Sequence, residues 1–134
     1  MKVVLDTNIW ISGLLLPESK AGRVLAAWRQ AKFQIVTTES LLDEMKRVLQ
    51  YPKIKKRLAW DQDKIDQYVA LLKFFSTYIV ATSVKRAIRD LNDLPLLDAL
   101  IAGKADYLVT GDNDLLVLKG EYSIITLADF FEML

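Results

Sequence analysis

Apolar residues in this chain fall into brief runs separated by longer amphipathic stretches, and that alternation sets the fold expected of it. Val3 to Leu5, Gln34 to Thr37, Tyr78 to Val80, Asp106 to Val109 and Ser123 to Ile125 are each short and rich in Val, Ile or Leu, as strands buried on both faces tend to be. Between them, apolar positions recur with helical spacing. Ala21, Val24, Leu25, Trp28 and Ala31 form one stripe, and Leu41, Leu42, Met45, Val48 and Leu49 a second. The stretch from Asp61 to Ser76 carries Ile65, Val69 and Leu72 on one side. Leu94 to Ala102 is apolar almost all round, the mark of a buried helix. Strands alternating with helices predict an α/β fold in which a small parallel sheet is wrapped by helices. The 134 residues show no repeat, low-complexity segment or linker. A single domain, 1–134, is expected, large enough to bury its own core.

Composition narrows the chemistry sharply. The chain contains no cysteine and no histidine, which excludes disulfides, thiolate zinc sites and Ser-His or Cys-His catalysis. An enzyme built from this sequence works with carboxylates, hydroxyls, amides, Lys, Arg or Tyr. A metal site in it is oxygen-only, which favours Mg²⁺, Mn²⁺ or Ca²⁺. Lys and Arg number 18 against 17 Asp and Glu, so net charge does not point to a partner. No apolar run approaches the ~20 residues that span a bilayer. The opening Met1-Lys2-Val3-Val4-Leu5-Asp6 meets an acid too early for a signal peptide. A cytoplasmic protein with no membrane partner is expected.

The position of the acids is therefore the main functional signal. In a parallel α/β sheet, ligands bind outside the carboxyl ends of the strands. Asp6 directly follows the first strand, and Asp112 follows the fourth, after Gly111. Either Asp serves equally well as a turn or helix-cap residue. Glu44 falls at the margin of its helix's apolar stripe, beside Val48, whereas Asp43 falls on the solvent side, given about 100° of rotation per residue. Asp93 precedes the buried helix, where it can cap the free N–H groups. Asp98 lies within that helix among Leu97, Ala99, Leu100, Ile101 and Ala102. A carboxylate there needs a cation, a hydrogen-bond partner or a cleft to face. Acids held together repel one another, and a divalent cation relieves the repulsion. A site of that kind suits phosphodiester hydrolysis, with one metal, or two about 3.5–4 Å apart, activating water and stabilising the developing charge.

At Asp6-Thr7-Asn8, read with three later segments, the chain resembles the PIN-domain ribonuclease family. Val3-Val4-Leu5-Asp6-Thr7-Asn8-Ile9-Trp10-Ile11-Ser12 looks like the family's opening strand and loop. Leu41-Leu42-Asp43-Glu44-Met45 looks like the helix carrying its second acid, and Arg89-Asp90-Leu91-Asn92-Asp93 with Leu96-Leu97 like the segment bearing the third. Ala105-Asp106-Tyr107-Leu108-Val109-Thr110-Gly111-Asp112 looks like the strand and turn bearing the fourth. Each fragment alone is weak; their order along nearly the whole chain makes the likeness specific. The resemblance implies a three-layer α/β/α fold and a metal-binding quartet of Asp6, Glu44, Asp93 and Asp112 that holds Mg²⁺ or Mn²⁺. Within the family the likeness is to VapC-type toxins of bacterial toxin–antitoxin pairs. That implies an RNA substrate, a homodimer and an antitoxin partner.

Asp98-Ala99-Leu100-Ile101-Ala102 also resembles the run in which such toxins carry their third acid. Placing that acid at Asp98 leaves the following helix about a turn short before Asp112, so spacing favours Asp93, with Asp98 as an additional pocket acid. Asn92 stands where relatives often carry another acid. Asn8, Ser12 and Thr110 are candidates to orient the acids or a metal-bound water, against their ordinary use in turns and helix starts. Asp114 is either a further acid or a cap for the Leu115-Leu116 turn.

Lys53, Lys55, Lys56 and Arg57 form a basic run after Tyr51-Pro52. RNA needs such phosphate contacts to offset repulsion from acids, although a charge run is commonly just a solvated face. Arg86 and Arg89 are competing contacts. Trp10 is a base-stacking candidate or a core or dimer-interface residue. Two other function classes compete. An aspartyl phosphatase or phosphotransferase of the haloacid-dehalogenase type needs a second Asp where Asn8 stands, and a response-regulator receiver needs an acidic pair where Leu5 precedes Asp6. A catalytically silent interaction module keeps the fold and binds a partner; clustered acids that serve no metal argue against it.

Overall fold

The computed structural model describes residues 1–80 and 94–134. Strands β1 (Lys2–Leu5), β2 (Gln34–Thr37), β3 (Thr77–Tyr78), β4 (Tyr107–Val109) and β5 (Ile124–Ile125) form one sheet. Its order is β3-β2-β1-β4-β5 and every pairing is parallel. Val3 sits opposite Ile35 on one side and Tyr107 on the other.

Residue alternation in β1 explains the layers. Val3 and Leu5 enter one core cluster, with Ile9, Trp10, Leu25 and Ile65, while Val4 enters another, with Leu97, Leu100 and Leu115. Successive strand side chains point to opposite faces, so both faces of the sheet are covered. The first cluster is closed by α1 (Thr7–Leu15), α2 (Lys20–Arg29), α3 (Glu39–Leu49) and α5 (Gln62–Phe75). The second is closed by α6 (Leu94–Ala102) and the short α7 (Asn113–Leu116). Helices α4 (Pro52–Leu58) and α8 (Leu127–Met133) complete the described elements. The three-layer α/β/α arrangement expected from the sequence is the one found.

Several boundaries differ from expectation, each for a physical reason. The third strand was expected at Tyr78 to Val80 but pairs at Thr77–Tyr78, with Ile79 still donating to Thr37 O at 3.0 Å. Ala31 does not continue the α2 stripe: the helix ends at Arg29, and Ala31 turns the chain at φ 59°. The segment after Asp6, expected as a loop, is helix α1. Its Ile9, Trp10 and Ile11 have modest helix propensity, but burial of all three overrides it. Gly22 lets α2 pass tightly against the preceding turn, since a Cβ there would strike the Pro17 backbone.

Candidate functional site

β1 lies at the centre of the sheet, with β2 on one side and β4 on the other. The strand order therefore reverses at β1, and the crevice outside β1 and β4 is where such a sheet binds ligands. Asp6 and Asp112 stand there, at the two carboxyl ends. Each is also a helix cap. Asp6 Oδ1 accepts from Asn8 N at 3.4 Å at the start of α1, and Asp112 Oδ1 accepts from Asp114 N at 2.9 Å at the start of α7. Capping thus fixes one oxygen of each carboxylate without removing either group from the cleft. Asp114, for which a further acid and a cap of Leu115-Leu116 were both open, is not the cap: it occupies the first turn that Asp112 caps.

Thr110 joins the two acids. It is fully buried, and its hydroxyl donates to Asp6 Oδ2 at 2.7 Å while accepting from Asp112 N at 3.1 Å. The backbone supports the same register, because Asp6 N donates to Val109 O at 3.0 Å. Asp6 and Asp112 line a cleft of ≈ 370 Å³ with Asn8, Ile9, Ser12, Gly111 and Leu127. Asn8 and Ser12 lie one turn apart on α1 and are exposed. The Asn8 contact to Asp6 comes from its backbone.

Glu44 is partly exposed in α3, and Asp43 points to solvent, as the helix phase predicted. Glu44 Oε2 accepts from the Thr7 hydroxyl at 3.0 Å, and its Oε1 lies 3.7 Å from Arg47 Nη2. Sequence reasoning missed Thr7. Its signal was a hydroxyl placed one residue after a strand-end acid, on the inward side of the following helix.

Asp98 is 8% exposed and lines a separate cleft of ≈ 140 Å³ with Thr38, Glu39, Ser40, Tyr78, Ile79, Val80 and Pro95. That cleft lies beyond β2 and β3, and the structure does not bring Asp98 into the space shared by Asp6 and Asp112. Asp98 is not without a partner. Asp93, Arg86, Arg89 and Asn92 fall outside the described residues. Trp10 is 4% exposed and packs edge-on against Trp28, ring centroids 5.2 Å apart, so it is core and not a stacking platform. Lys53, Lys55, Lys56 and Arg57 lie on α4, which begins at Pro52, a residue suited to a first helical position. Lys55 and Lys56 border a shallow surface groove with Trp60, apart from the acid cleft.

The donor chemistry suits a hard divalent cation: carboxylate and hydroxyl oxygens at a strand-end cleft. Asp112 Oδ2 has no hydrogen-bond donor among the described residues, which leaves it open for such a cation. Among the described residues, however, no three acids are grouped closely enough to hold one. Also among them, no helix is long and apolar enough to cross a membrane.

Three comparisons bear on this arrangement. A PIN domain family model matches residues 2–114. The chain is 30% identical over 121 residues to the uncharacterized protein MJ1680 of Methanocaldococcus jannaschii, covering 90% of this chain and 77% of that protein. In structure it is similar to a chain of VapBC2 from Rickettsia felis, solved bound to a DNA fragment from their promoter. The TM-score is 0.59 at 17% identity, over 94% of this chain and 98% of that one; a likeness at this identity speaks to fold.

Proposed function

This chain belongs to the PIN domain family, whose members are generally nucleases, and on that premise we propose that it is a metal-dependent endoribonuclease. The observation that carries the reading is Thr110, whose buried hydroxyl ties the acids of β1 and β4 to one cleft. Asp6 and Asp112, joined by Glu44 and, from the resemblance, Asp93, would hold Mg²⁺ or Mn²⁺, which would supply a water of lowered pKa and stabilise charge on the phosphoryl oxygens. The protein's own part is to hold carboxylates in fixed orientation at the mouth of a cleft. Thr110 keeps Asp6 Oδ2 in place, and the caps of α1 and α7 keep each Oδ1 in place. Basic side chains of α4, with Arg86 and Arg89, contact RNA phosphates away from the acids. The likeness to VapBC2 supports a toxin role, with an antitoxin as partner; a homodimer and a cytoplasmic location complete the reading.

A second reading, a silent interaction module, is favoured by the absence of any three-acid group among the described residues. One experiment separates the two. Purified protein and Asp6→Asn are incubated with single-stranded and structured RNAs in Mg²⁺, Mn²⁺ or EDTA. The nuclease reading expects cleavage that needs the metal and falls at least about 100-fold in the variant. Cleavage that is equal in Asp6→Asn removes Asp6 from the chemistry. No cleavage in any metal, with no Mn²⁺ binding by calorimetry, favours the module.

A further inference from the structure

Thr7 occupies a position where the packing asks for an apolar side chain. It is 6% exposed, and its surroundings include Leu5, Trp10, Ile35, Leu41, Leu42 and Met45. Its chain neighbours Asp6 and Asn8 both line the acid cleft. Thr7, the first residue of α1, instead faces inward between the sheet and α3. A valine would fill the same volume, so the hydroxyl needs a separate explanation. Its partner is Glu44 Oε2, at 3.0 Å.

The local geometry makes that bond the natural use of the hydroxyl. Threonines inside helices commonly turn their oxygen back to the carbonyl one turn earlier. At the first helical position no such helical carbonyl exists, so the donor is available for a partner on another element. Among the described residues, Glu44 has one further partner: its other oxygen lies 3.7 Å from Arg47, whose side chain is 66% exposed. The hydroxyl thus tethers a long acidic side chain of α3 to the residue directly after Asp6.

We propose that Thr7 is a positioning residue for Glu44: its hydroxyl fixes the Glu44 carboxylate relative to Asp6 and so sets the affinity of the cleft for a divalent cation. The inference rests on the metal-dependent reading above. It pairs Thr7 with Thr110 as two buried threonines, one hydroxyl directed at the α3 acid and the other at Asp6.

The test is calorimetric titration of the full chain with Mn²⁺, without RNA, alongside melting in EDTA. Outer-shell hydrogen bonds of this kind typically contribute 10- to 100-fold to metal affinity, so Thr7→Val is expected to weaken Mn²⁺ binding about 10-fold and Thr7→Ser to stay within about 3-fold of wild type. Thr7→Val should melt close to wild type in EDTA. Leu42→Ala, a core change on the same helix, should lower the melting point and leave Mn²⁺ affinity unchanged; Thr7→Ala provides a second removal of the hydroxyl if the valine variant misfolds. Wild-type affinity in both Thr7→Val and Thr7→Ala overturns the proposal. So does a loss in Thr7→Ser as large as in Thr7→Val, or a loss of the same size in Leu42→Ala. If the wild-type chain shows no Mn²⁺ binding that Asp6→Asn removes, the metal-dependent reading fails first and takes the Thr7 role with it. If that binding is present and indifferent to Thr7, only the Thr7 role fails.

Discussion

Buried hydroxyls are treated in opposite ways at two regions of the molecule. At the ends of β1 and β4, Thr7 and Thr110 each donate to a carboxylate, and Thr110 also accepts a backbone N–H. On the α5 flank, the hydroxyls of Tyr68 and Ser76 are buried with no hydrogen-bond partner among the described residues. The Tyr68 ring nevertheless packs against Trp60, centroids 5.1 Å apart, and against the main core. The flank also leaves Phe74 and Phe75 largely exposed. The difference teaches what each region is built for. Around Tyr68 the ring does the packing and the oxygen is incidental, whereas at the cleft the oxygens hold charged groups in place.

That contrast can be broken at several points. The largest effect is expected on α3, where Glu44 faces the tethered region and Asp43 faces solvent. Glu44→Gln should reduce cleavage at least about 100-fold if it is a ligand, and Asp43→Asn should stay within about 2-fold, a surface change remote from the site. Equal losses in a cleavage assay would mean that α3 presents its acids differently. Next comes Thr110→Val. It strips Asp6 of a donor and Asp112 N of an acceptor at a fully buried position. A stability loss of about 1–3 kcal/mol and a 10- to 100-fold loss of cleavage are expected, on the scale typical of residues supporting metal ligands. Denaturant melts with single-turnover rates measure both; full activity would reduce Thr110 to a packing residue.

The smallest change should be Tyr68→Phe, which removes an oxygen with no partner among the described residues and is expected to be neutral or stabilising by up to about 1 kcal/mol. It also carries a pH signature. Burial pushes the Tyr68 phenol up to about 12, with nearby Arg29 opposing the rise. The folded state therefore favours the neutral phenol. Its share of stability is fully present below the unfolded phenol's value of about 10 and is lost as pH rises through about 12. Alkaline melting curves of Tyr68→Phe should lack that decline. An unchanged alkaline curve would show that Tyr68 is hydrated or paired in solution, and the contrast with Thr110 would weaken.

Much of the architecture was legible locally. Lys2–Leu5, Gln34–Thr37 and Leu94–Ala102 were found within a residue of where apolar patterning put them, because short β-branched runs and an all-round apolar stretch leave few alternatives. Helix α1 was not legible. Its Thr7-Asn8-Ile9-Trp10-Ile11 run favours extended chain, and only burial against α2 and the sheet stabilises it as a helix. Asp6 and Asp112 each cap a helix and also line the cleft, so the capping role expected of an Asp in such a turn does not remove either from the cleft. Asp98 illustrates the reverse: its burial was evident from its neighbours, but which cleft it faces depends on how α6 lies across the sheet.

The sequence by itself determined the residue types and their order: carboxylate and hydroxyl oxygens with no thiol or imidazole, Asp6 and Asp112 shortly after strands, and a helix phase that puts Glu44 at the margin of the apolar stripe and Asp43 on the solvent side. These follow from composition and from periods of two and about 3.6 residues, which act between near neighbours. Only the tertiary structure decided the pairings. Thr7 meets Glu44 across 37 positions and Thr110 meets Asp6 across 104. Such bonds exist because β4 pairs with β1 and α3 packs beside α1, and strand order is a property of the whole packed chain, which no local period encodes.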